Sequence, residues 1–311
     1  MNERKPLRSF LGPRYWPMWA GLGLVRVTLA LPHRWGLALG CLLGRCAHRI
    51  SPARRAVVRR NLELCFPELD TGARDTLARQ HFEALGMSVF EMALGRWATD
   101  RKIKQLMEIE GVEHLDAAIA ENKGVILLSA HFTTLEASGR LLAMNSPPFD
   151  AVYRKNRSAF ITELQRTGRE RSAASTIEKR DIKSMVKSLR KGRPVWYAPD
   201  QSYNRKGAEI IEFFGVPSMH TTATSTLARL GKAIVLPYFP RRLPNGNYVF
   251  TIQRRLDNFP GDDPVEDTRR YIRRLERHIR TCPEQYFWIH RKFKNLPPSY
   301  PDYYADLDAL K

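Results

Sequence analysis

Short apolar runs recur in the second half of the sequence, separated by stretches with helical periodicity. The clearest run is GVILLSA at 124–130, and similar runs occupy 195–198 and 233–239. Continuous apolar runs of this length are typical of parallel strands buried on both faces. Helical stretches lie between and after these runs, at 131–144, 159–171, 181–191, 221–230 and 264–281. Because strands that alternate with helices build parallel sheets, the pattern predicts an α/β fold with a mainly parallel mixed sheet flanked by helices.

Three further segments complete the predicted organisation. Residues 248–252 (YVFTI) alternate along the chain, which predicts an edge strand. Apolar residues in 73–97 repeat near a 3.6-residue period, and 108–121 also reads as a helix, so helices are predicted ahead of the first strand. The chain is therefore divided into an N-terminal segment 1–50, a helical lead-in 51–121 and an α/β core 122–311.

The N-terminal segment contains the most apolar stretch of the sequence. Residues 15–31 (YWPMWAGLGLVRVTLAL) carry Arg26 as their only charge. A bilayer span needs ~20 apolar residues, so the stretch is marginal for a transmembrane helix. A helix tilted in the membrane interface and a buried pair of core helices over 15–44 are the alternatives. No small-residue cleavage pattern follows it, as a signal peptide would require. We predict an uncleaved N-terminal hydrophobic membrane-anchor helix.

The charge balance points to anionic partners. The chain has 51 Lys and Arg against 32 Asp and Glu, a formal net charge of +19. Such an excess favours nucleic acid, an anionic membrane surface, or an acidic protein or substrate as partner. We find no nucleic-acid-binding motif. The arginine-rich helix at 267–280 is either a docking surface for an acidic protein or an ordinary solvated face. The four cysteines have neither CxxC nor zinc-site spacing, so no metal site and a cytoplasmic globular part are predicted.

Polar residues follow two of the predicted strands, where open α/β sheets bind their ligands. His131 and Glu136 come after the first strand, and Asp200 comes after the run at 195–198. A Glu that accepts a hydrogen bond from one imidazole nitrogen leaves the other to act as a general base. Glu136 has an alternative role in a capping box with Thr133. His131 has one as a buried structural histidine, and Asp200 one as a turn residue.

Several blocks of the sequence resemble the bacterial lipid A biosynthesis late acyltransferases of the lauroyl and myristoyl type, with the lauroyl branch most similar. The blocks occur in the family's order and span nearly the whole chain: PRYWPMWAGLGLVRV at 13–27, RRNLELCFPEL at 59–69, GVILLSAHFTTLEASGR at 124–140, VYRKN at 152–156, GRERSA at 168–173, RKGRPVWYAPDQSYNRKG at 190–207, FFGVPSMHTTATSTLARLGKAIVLPYFPRR at 213–242 and PEQYFWIHRKFK at 283–294.

The resemblance implies a lipid A acyltransferase at the cytoplasmic face of the inner membrane, with 51–311 as the acyltransferase domain. The donor would be an acyl carrier protein thioester, with no other cofactor, and the acceptor a hydroxyl of a phosphorylated, Kdo-bearing lipid IVA intermediate. The H-x4-E motif falls on His131 as general base and Glu136 as its orienting partner. Arg154, Arg169 and Asp200 are implied as substrate-binding residues, with Arg169 a candidate for either the oxyanion or an acceptor phosphate.

Three classes of function remain distinct at this point. The first is the acyltransferase, which would bind to anionic lipids of the inner membrane. The second is a basic nucleic-acid-binding protein, which the net charge alone would permit. The third is a non-catalytic lipid carrier, against which the presence of both His131 and Glu136 argues. A different lipid acyltransferase that uses acyl carrier protein or acyl-CoA is the nearest alternative to the first.

Overall fold

A seven-stranded mixed sheet forms the centre of the protein, seen in a computed structural model that describes residues 5–310. The strands are β1 Met107–Glu110, β2 Gly124–Leu128, β3 Asp150–Tyr153, β4 Ser175–Glu178, β5 Val195–Tyr197, β8 Ala233–Arg242 and β9 Tyr248–Ile252, while β6 Ala208–Phe213 and β7 Val216–Thr221 form a separate hairpin. The helices are α1 Trp16–Val27, α2 His33–Ile50, α3 Pro52–Cys65, α4 Thr71–Trp97, α5 Asp100–Leu106, α6 Val112–Ala120, α7 Ser138–Met144, α8 Ala159–Arg169, α9 Ile182–Arg190, α10 Ala223–Gly231 and α11 Pro264–Thr281.

The sheet order confirms the mainly parallel prediction. The strands follow the order β1-β9-β8-β2-β5-β3-β4, and the five from β8 to β4 are parallel. Strand β9 runs antiparallel to β8 and parallel to β1. The central strand β2 is buried at every position, as its unbroken apolar run predicted. Two apolar clusters, one on each face, pack the helices against the sheet.

Two sequence predictions near the sheet edge are wrong. Strand β9 is not an edge strand, because β1 pairs with it from Met107 to Glu110. Part of that partner was assigned to a helix over 108–121, but α6 begins only after Gly111, whose φ is +76°. A left-handed backbone at this position separates strand from helix, and glycine adopts it without steric cost. The short, partly exposed strand β1 carries too weak a pattern to be recognised.

The N-terminal helices pack on α4 through a stripe of glycines. Gly36, Gly40 and Gly44 recur every fourth residue on α2 and are buried. A Cβ on Gly40 would lie 2.6 Å from the Cα of Met87, and one on Gly86 would overlap the backbone of Gly40. Small residues at this spacing let two helix backbones approach closely. The glycines therefore fix the crossing of α2 and α4. The alternative of a buried pair of core helices is not confirmed, because α1 has no buried residue and much of the apolar surface of α2 is exposed.

The predicted transmembrane helix is not supported by the structure. Among residues 5–310, no helix is long and apolar enough to cross a bilayer. Helix α1 has 12 residues, or about 18 Å at the usual helical rise, against a hydrocarbon core of ~30 Å. The chain leaves helical geometry at Leu31 and Pro32 before α2 begins. Residues 1–4 of the predicted anchor lie outside the described residues.

Candidate active site

The ends of two adjacent strands bring His131 and Asp200 together. Strands β2 and β5 pair in parallel with Leu128 opposite Tyr197, so the loops that follow them leave the same edge of the sheet. Nδ1 of His131 lies 2.5 Å from Oδ1 of Asp200. Because an ionised carboxylate only accepts hydrogen bonds, Nδ1 carries the proton and Nε2 is left as the basic nitrogen.

Hydrogen bonds fix both the side chain and the backbone of Asp200. Its side chain is 1% exposed, the hydroxyl of Tyr286 donates to Oδ2 at 3.0 Å, and Nζ of Lys292 donates to its backbone oxygen at 2.5 Å. Burial opposes ionisation of Asp200, but the interactions with His131 and the charge of Lys292 outweigh it, so its pKa lies well below the usual range. Burial also lowers the pKa of Lys292 to about 8. The carboxylate is thus ionised and fixed where it faces the imidazole.

The segment 283–293 supports the His131 loop from the other side. The backbone N–H of Phe287 donates to the oxygen of His131 at 3.0 Å, and that of Thr133 donates to the oxygen of Gln285 at 2.8 Å. Sequence reasoning did not single out Tyr286 or Lys292 as site residues. The available signal was the block PEQYFWIHRKFK, which contains both. This segment therefore sets the backbone position of the candidate base.

Glu136 pairs with Arg169, which corrects the expected contact with His131. Nη2 of Arg169 lies 2.5 Å from Oε1 of Glu136, Nε lies 3.2 Å from Oε2, and Nη1 donates to the oxygen of Val152. Gln165 donates a third hydrogen bond to the carboxylate at 3.1 Å. Burial raises the pKa of Glu136, but the charge and hydrogen bonds of Arg169 more than offset it and the net pKa is lowered. The physical reason is that Arg169 on α8 faces Glu136, whereas Asp200, in the loop after β5, faces His131.

The predicted capping box is not formed. Leu135–Ala137 is a short 3-10 helix that begins after Thr134, with no capping hydrogen bond from a side chain, and α7 follows only at Ser138. The hydroxyl oxygens of Thr133 and Thr134 are buried without a hydrogen-bond partner. His131 lies in the turn after β2, so the helical stretch predicted over 131–144 begins later than expected, with the 3-10 helix at Leu135 and α7 at Ser138.

His131 opens on a cavity of about 320 Å³ with a basic wall. The cavity is bounded by the ends of β3, β4 and β5 and by the loop before β6. Its charged lining residues besides His131 are Arg154, Arg169, Lys179, Arg180 and Arg205. Arg154, which the resemblance implied as a substrate-binding residue, is among the residues that line this cavity. The side chain of His131 is 33% exposed, so its free nitrogen is accessible to a substrate.

A second, mostly apolar cavity of about 230 Å³ lies beside the first. Gln165 and Arg169 border both cavities, and Glu136 borders the apolar one. Its other walls come mainly from α4 and α8, and Phe149 before β3 and Trp196 on β5 also line it. A hydrocarbon chain favours such a surface because burial removes apolar area from water. The two cavities therefore adjoin at Gln165 and Arg169, and the candidate base lines the basic one.

Comparison with known proteins identifies a family and several relatives. A family model described as bacterial lipid A biosynthesis acyltransferase matches residues 3–295. The lipid A biosynthesis lauroyltransferase of Escherichia coli (strain K12) is 38% identical over 305 residues, covering 97% of this chain and 99% of that protein. The palmitoleoyltransferase of the same organism is 34% identical and covers 93% and 95%. Its myristoyltransferase is 28% identical and covers 94% and 91%.

Proposed function

The chain belongs to the bacterial lipid A biosynthesis acyltransferase family, and we propose that it transfers a fatty acyl chain from an acyl carrier protein thioester to a hydroxyl of a Kdo-bearing lipid IVA-type precursor. The observation that carries the proposal is the His131–Asp200 pair at the mouth of the basic cavity. Lauroyl is the proposed acyl group, on the similarity to the lauroyltransferase.

His131 acts as the general base in this proposal. Nε2 takes the proton of the acceptor hydroxyl while its oxygen attacks the thioester carbonyl carbon. The tetrahedral intermediate collapses with cleavage of the carbon–sulfur bond, and the imidazolium returns the proton to the leaving thiolate. Asp200 stabilises the imidazolium and fixes the tautomer, so it is a positioning residue rather than a substrate-binding one. No acyl-enzyme intermediate is needed.

Glu136 and Arg169 take a different role from the one that the motif implied. Each of the three guanidinium nitrogens of Arg169 donates one hydrogen bond to Glu136 or to the oxygen of Val152, so Arg169 stiffens the wall between the two cavities. Glu136 is a positioning residue for that wall. The apolar cavity receives the acyl chain, which places the thioester carbonyl near the junction with the basic cavity.

The proposed function is tested by analysing the lipid A of cells that lack late acylation and express this protein. Expression of this protein should add one acyl chain, whose length and position mass spectrometry reports, and His131→Ala should abolish the addition. His114→Ala on α6 is the matched control and should retain it. With purified protein, acyl carrier protein thioesters should be better donors than acyl-CoA of equal length. Undiminished transfer by a folded His131→Ala variant would exclude the proposed base.

The proposed location is the cytoplasmic face of the inner membrane, and the exposed apolar surface of α1 and α2 supports attachment to a bilayer. Trp16, Leu24 and Val27 are 62–68% exposed, and Trp35 is 68% exposed. Apolar and tryptophan side chains beside basic residues favour the interface of an anionic bilayer. Leu24→Asp with Val27→Asp should reduce co-sedimentation with anionic vesicles, whereas Ile182→Asp, on a different helix, should not. Equal binding by both variants would exclude this surface as the attachment site.

A further inference from the structure

Four of the cations at the His131 cavity come from neighbouring loops. Arg154 follows β3 directly, and Lys179 follows β4. The two strands pair in parallel with Tyr153 opposite Glu178, and the N–H of Lys179 donates to the oxygen of Tyr153 at 2.8 Å. Arg180 is next in sequence, and Arg205 reaches the cavity from the loop before β6. The sheet edge therefore gathers four positive side chains on one wall.

These four cations have no acidic partner within the described part of the chain. The residues that line the cavity include neither Asp nor Glu, and none of the four forms an ion pair there. Of the two acids adjacent in sequence, Glu178 is paired with Lys155 at 2.7 Å, and Asp181 accepts hydrogen bonds from the first turn of α9. Burial, followed by the charges of Arg154, Arg180 and Arg205, lowers the pKa of Lys179. Like charges at one site repel, and an anion in the cavity would remove that repulsion.

The fifth cation differs from these four. Arg169 is neutralised by Glu136 and donates to a backbone oxygen, so it has little capacity left for an external anion. The excess positive charge is therefore concentrated on the wall formed by the β3, β4 and pre-β6 loops. A phosphate monoester, with up to two negative charges and three acceptor oxygens, fits several convergent cations better than a single carboxylate does.

We propose that Arg154, Lys179, Arg180 and Arg205 form a subsite that binds a phosphate monoester of the acceptor glycolipid and thereby places its hydroxyl beside Nε2 of His131. The subsite rests on the proposed function, because it identifies the part of the acceptor that this cavity recognises. It is specific to the acceptor, so the acyl donor does not occupy it.

The test compares Lys179→Met with Lys155→Met, using the full chain in mixed micelles. Both variants lose one lysine near the same strand end, but Lys155 is paired with Glu178 and does not line the cavity. Lys179→Met should raise KM for the phosphorylated acceptor about tenfold, the loss expected of one charge-assisted contact. Its KM for the acyl donor should change less than twofold, and Lys155→Met should resemble the wild type in KM for both substrates. Arg205→Met provides a second variant from another loop and should also raise acceptor KM.

Acceptors that differ in which phosphate group they lack are compared to identify the phosphate that the subsite binds. Removal of the bound phosphate should raise wild-type KM about as much as Lys179→Met does, and the two changes together should not add. Equal KM for all phosphorylation states, or equal effects of the two lysine variants, would overturn the subsite. If inorganic phosphate binds to the wild type but not to Lys179→Met, while both proteins bind the acceptor equally well, the site binds free phosphate and not the phosphate of the acceptor.

Direct binding separates this proposal from the enzymatic one. Tryptophan fluorescence reports binding of the phosphorylated glycolipid to the full chain without turnover. Preferential binding that Lys179→Met weakens would support the subsite even if no acyl transfer occurred. Transfer activity without any phosphate preference would keep the acyltransferase and remove the subsite.

Discussion

His131 and Asp200 are 69 positions apart in the sequence, and yet Nδ1 of one lies 2.5 Å from Oδ1 of the other. The contact exists because β2 and β5 are neighbours in the sheet and end at the same edge. The partner that steadies the candidate base is therefore set by sheet order and not by the local H-x4-E spacing.

Asp200→Asn should reduce kcat sharply and leave KM for the acceptor nearly unchanged. An amide at this position can donate to Nδ1 and so favour the tautomer in which Nε2 carries the proton and cannot act as a base. Such a change of tautomer costs about 10⁴-fold in the serine protease triad, and we expect a loss of about 10³-fold or more. Tyr286→Phe, which removes only the donor to Oδ2, should lose far less. A rise in KM at constant kcat would instead make Asp200 a substrate-binding residue.

Glu136 should act through Arg169, and a double-mutant cycle checks this. Glu136→Gln and Arg169→Met should each reduce kcat, because each loosens the wall between the cavities. The double variant should be little worse than Arg169→Met alone, since the pair is one unit. The fall of kcat at low pH, its acid limb, should occur at the same pH in Glu136→Gln as in the wild type. Additive losses, or a shifted acid limb, would show that Glu136 acts on His131 directly.

His81 should make the protein sensitive to acid. It is fully buried, its Nδ1 contacts the oxygen of Glu284 at 3.0 Å, and burial lowers its pKa to about 4. Between about pH 6.5 and 4 the unfolded chain binds the proton and the folded chain does not, so stability falls as pH falls through this window. His81→Asn keeps a donor and removes the titration. Between pH 7 and 4.5 the wild type should lose about 2 kcal/mol more unfolding free energy than the variant.

Urea unfolding at the two pH values measures that difference. Other buried histidines, such as His278 and His290, titrate in both proteins and cancel in the comparison. An identical pH dependence in wild type and variant would mean that His81 takes up its proton at the same pH in the folded and unfolded chains.

Gly86→Ala should destabilise the crossing of α2 and α4. Its Cβ would overlap the backbone of Gly40 and approach that of Gly44, neither of which can move as a side-chain tip would. Overpacking of this kind costs about 1–3 kcal/mol. Gly21→Ala in α1 is the control of opposite sign, because no atom lies within 4 Å of its Cβ position. Alanine is the better helix former by about 1 kcal/mol. Urea unfolding should therefore show a loss for one variant and no loss for the other.

The sequence was sufficient for the main architecture and for placing the candidate base after β2. Strand β2 is recognisable because all five of its residues are apolar, and His131 follows it in the turn. Strands β3 and β4 are four residues each, with a polar residue at their start, so periodicity cannot separate them from loops. For the same reason the pairing of β1 with β9 was missed.

The site was predicted only in part because its decisive contacts are long-range. Glu136 was favoured as the partner of His131 for its proximity in sequence, but Arg169 on α8 holds it. Asp200 was identified as a site residue, yet its function depends on which strands are adjacent. Lys292 and Tyr286 carry no local motif that would reveal their contacts with Asp200.

The contacts of 283–293 with the His131 loop have a consequence for the synthesis of the protein itself. When a ribosome has completed the whole sheet and α11, it has not yet made Tyr286 or Lys292. A nascent chain therefore contains the histidine long before it contains the groups that orient its partner. Acylating activity should appear only after translation has passed this late segment, and prematurely terminated products should be inert.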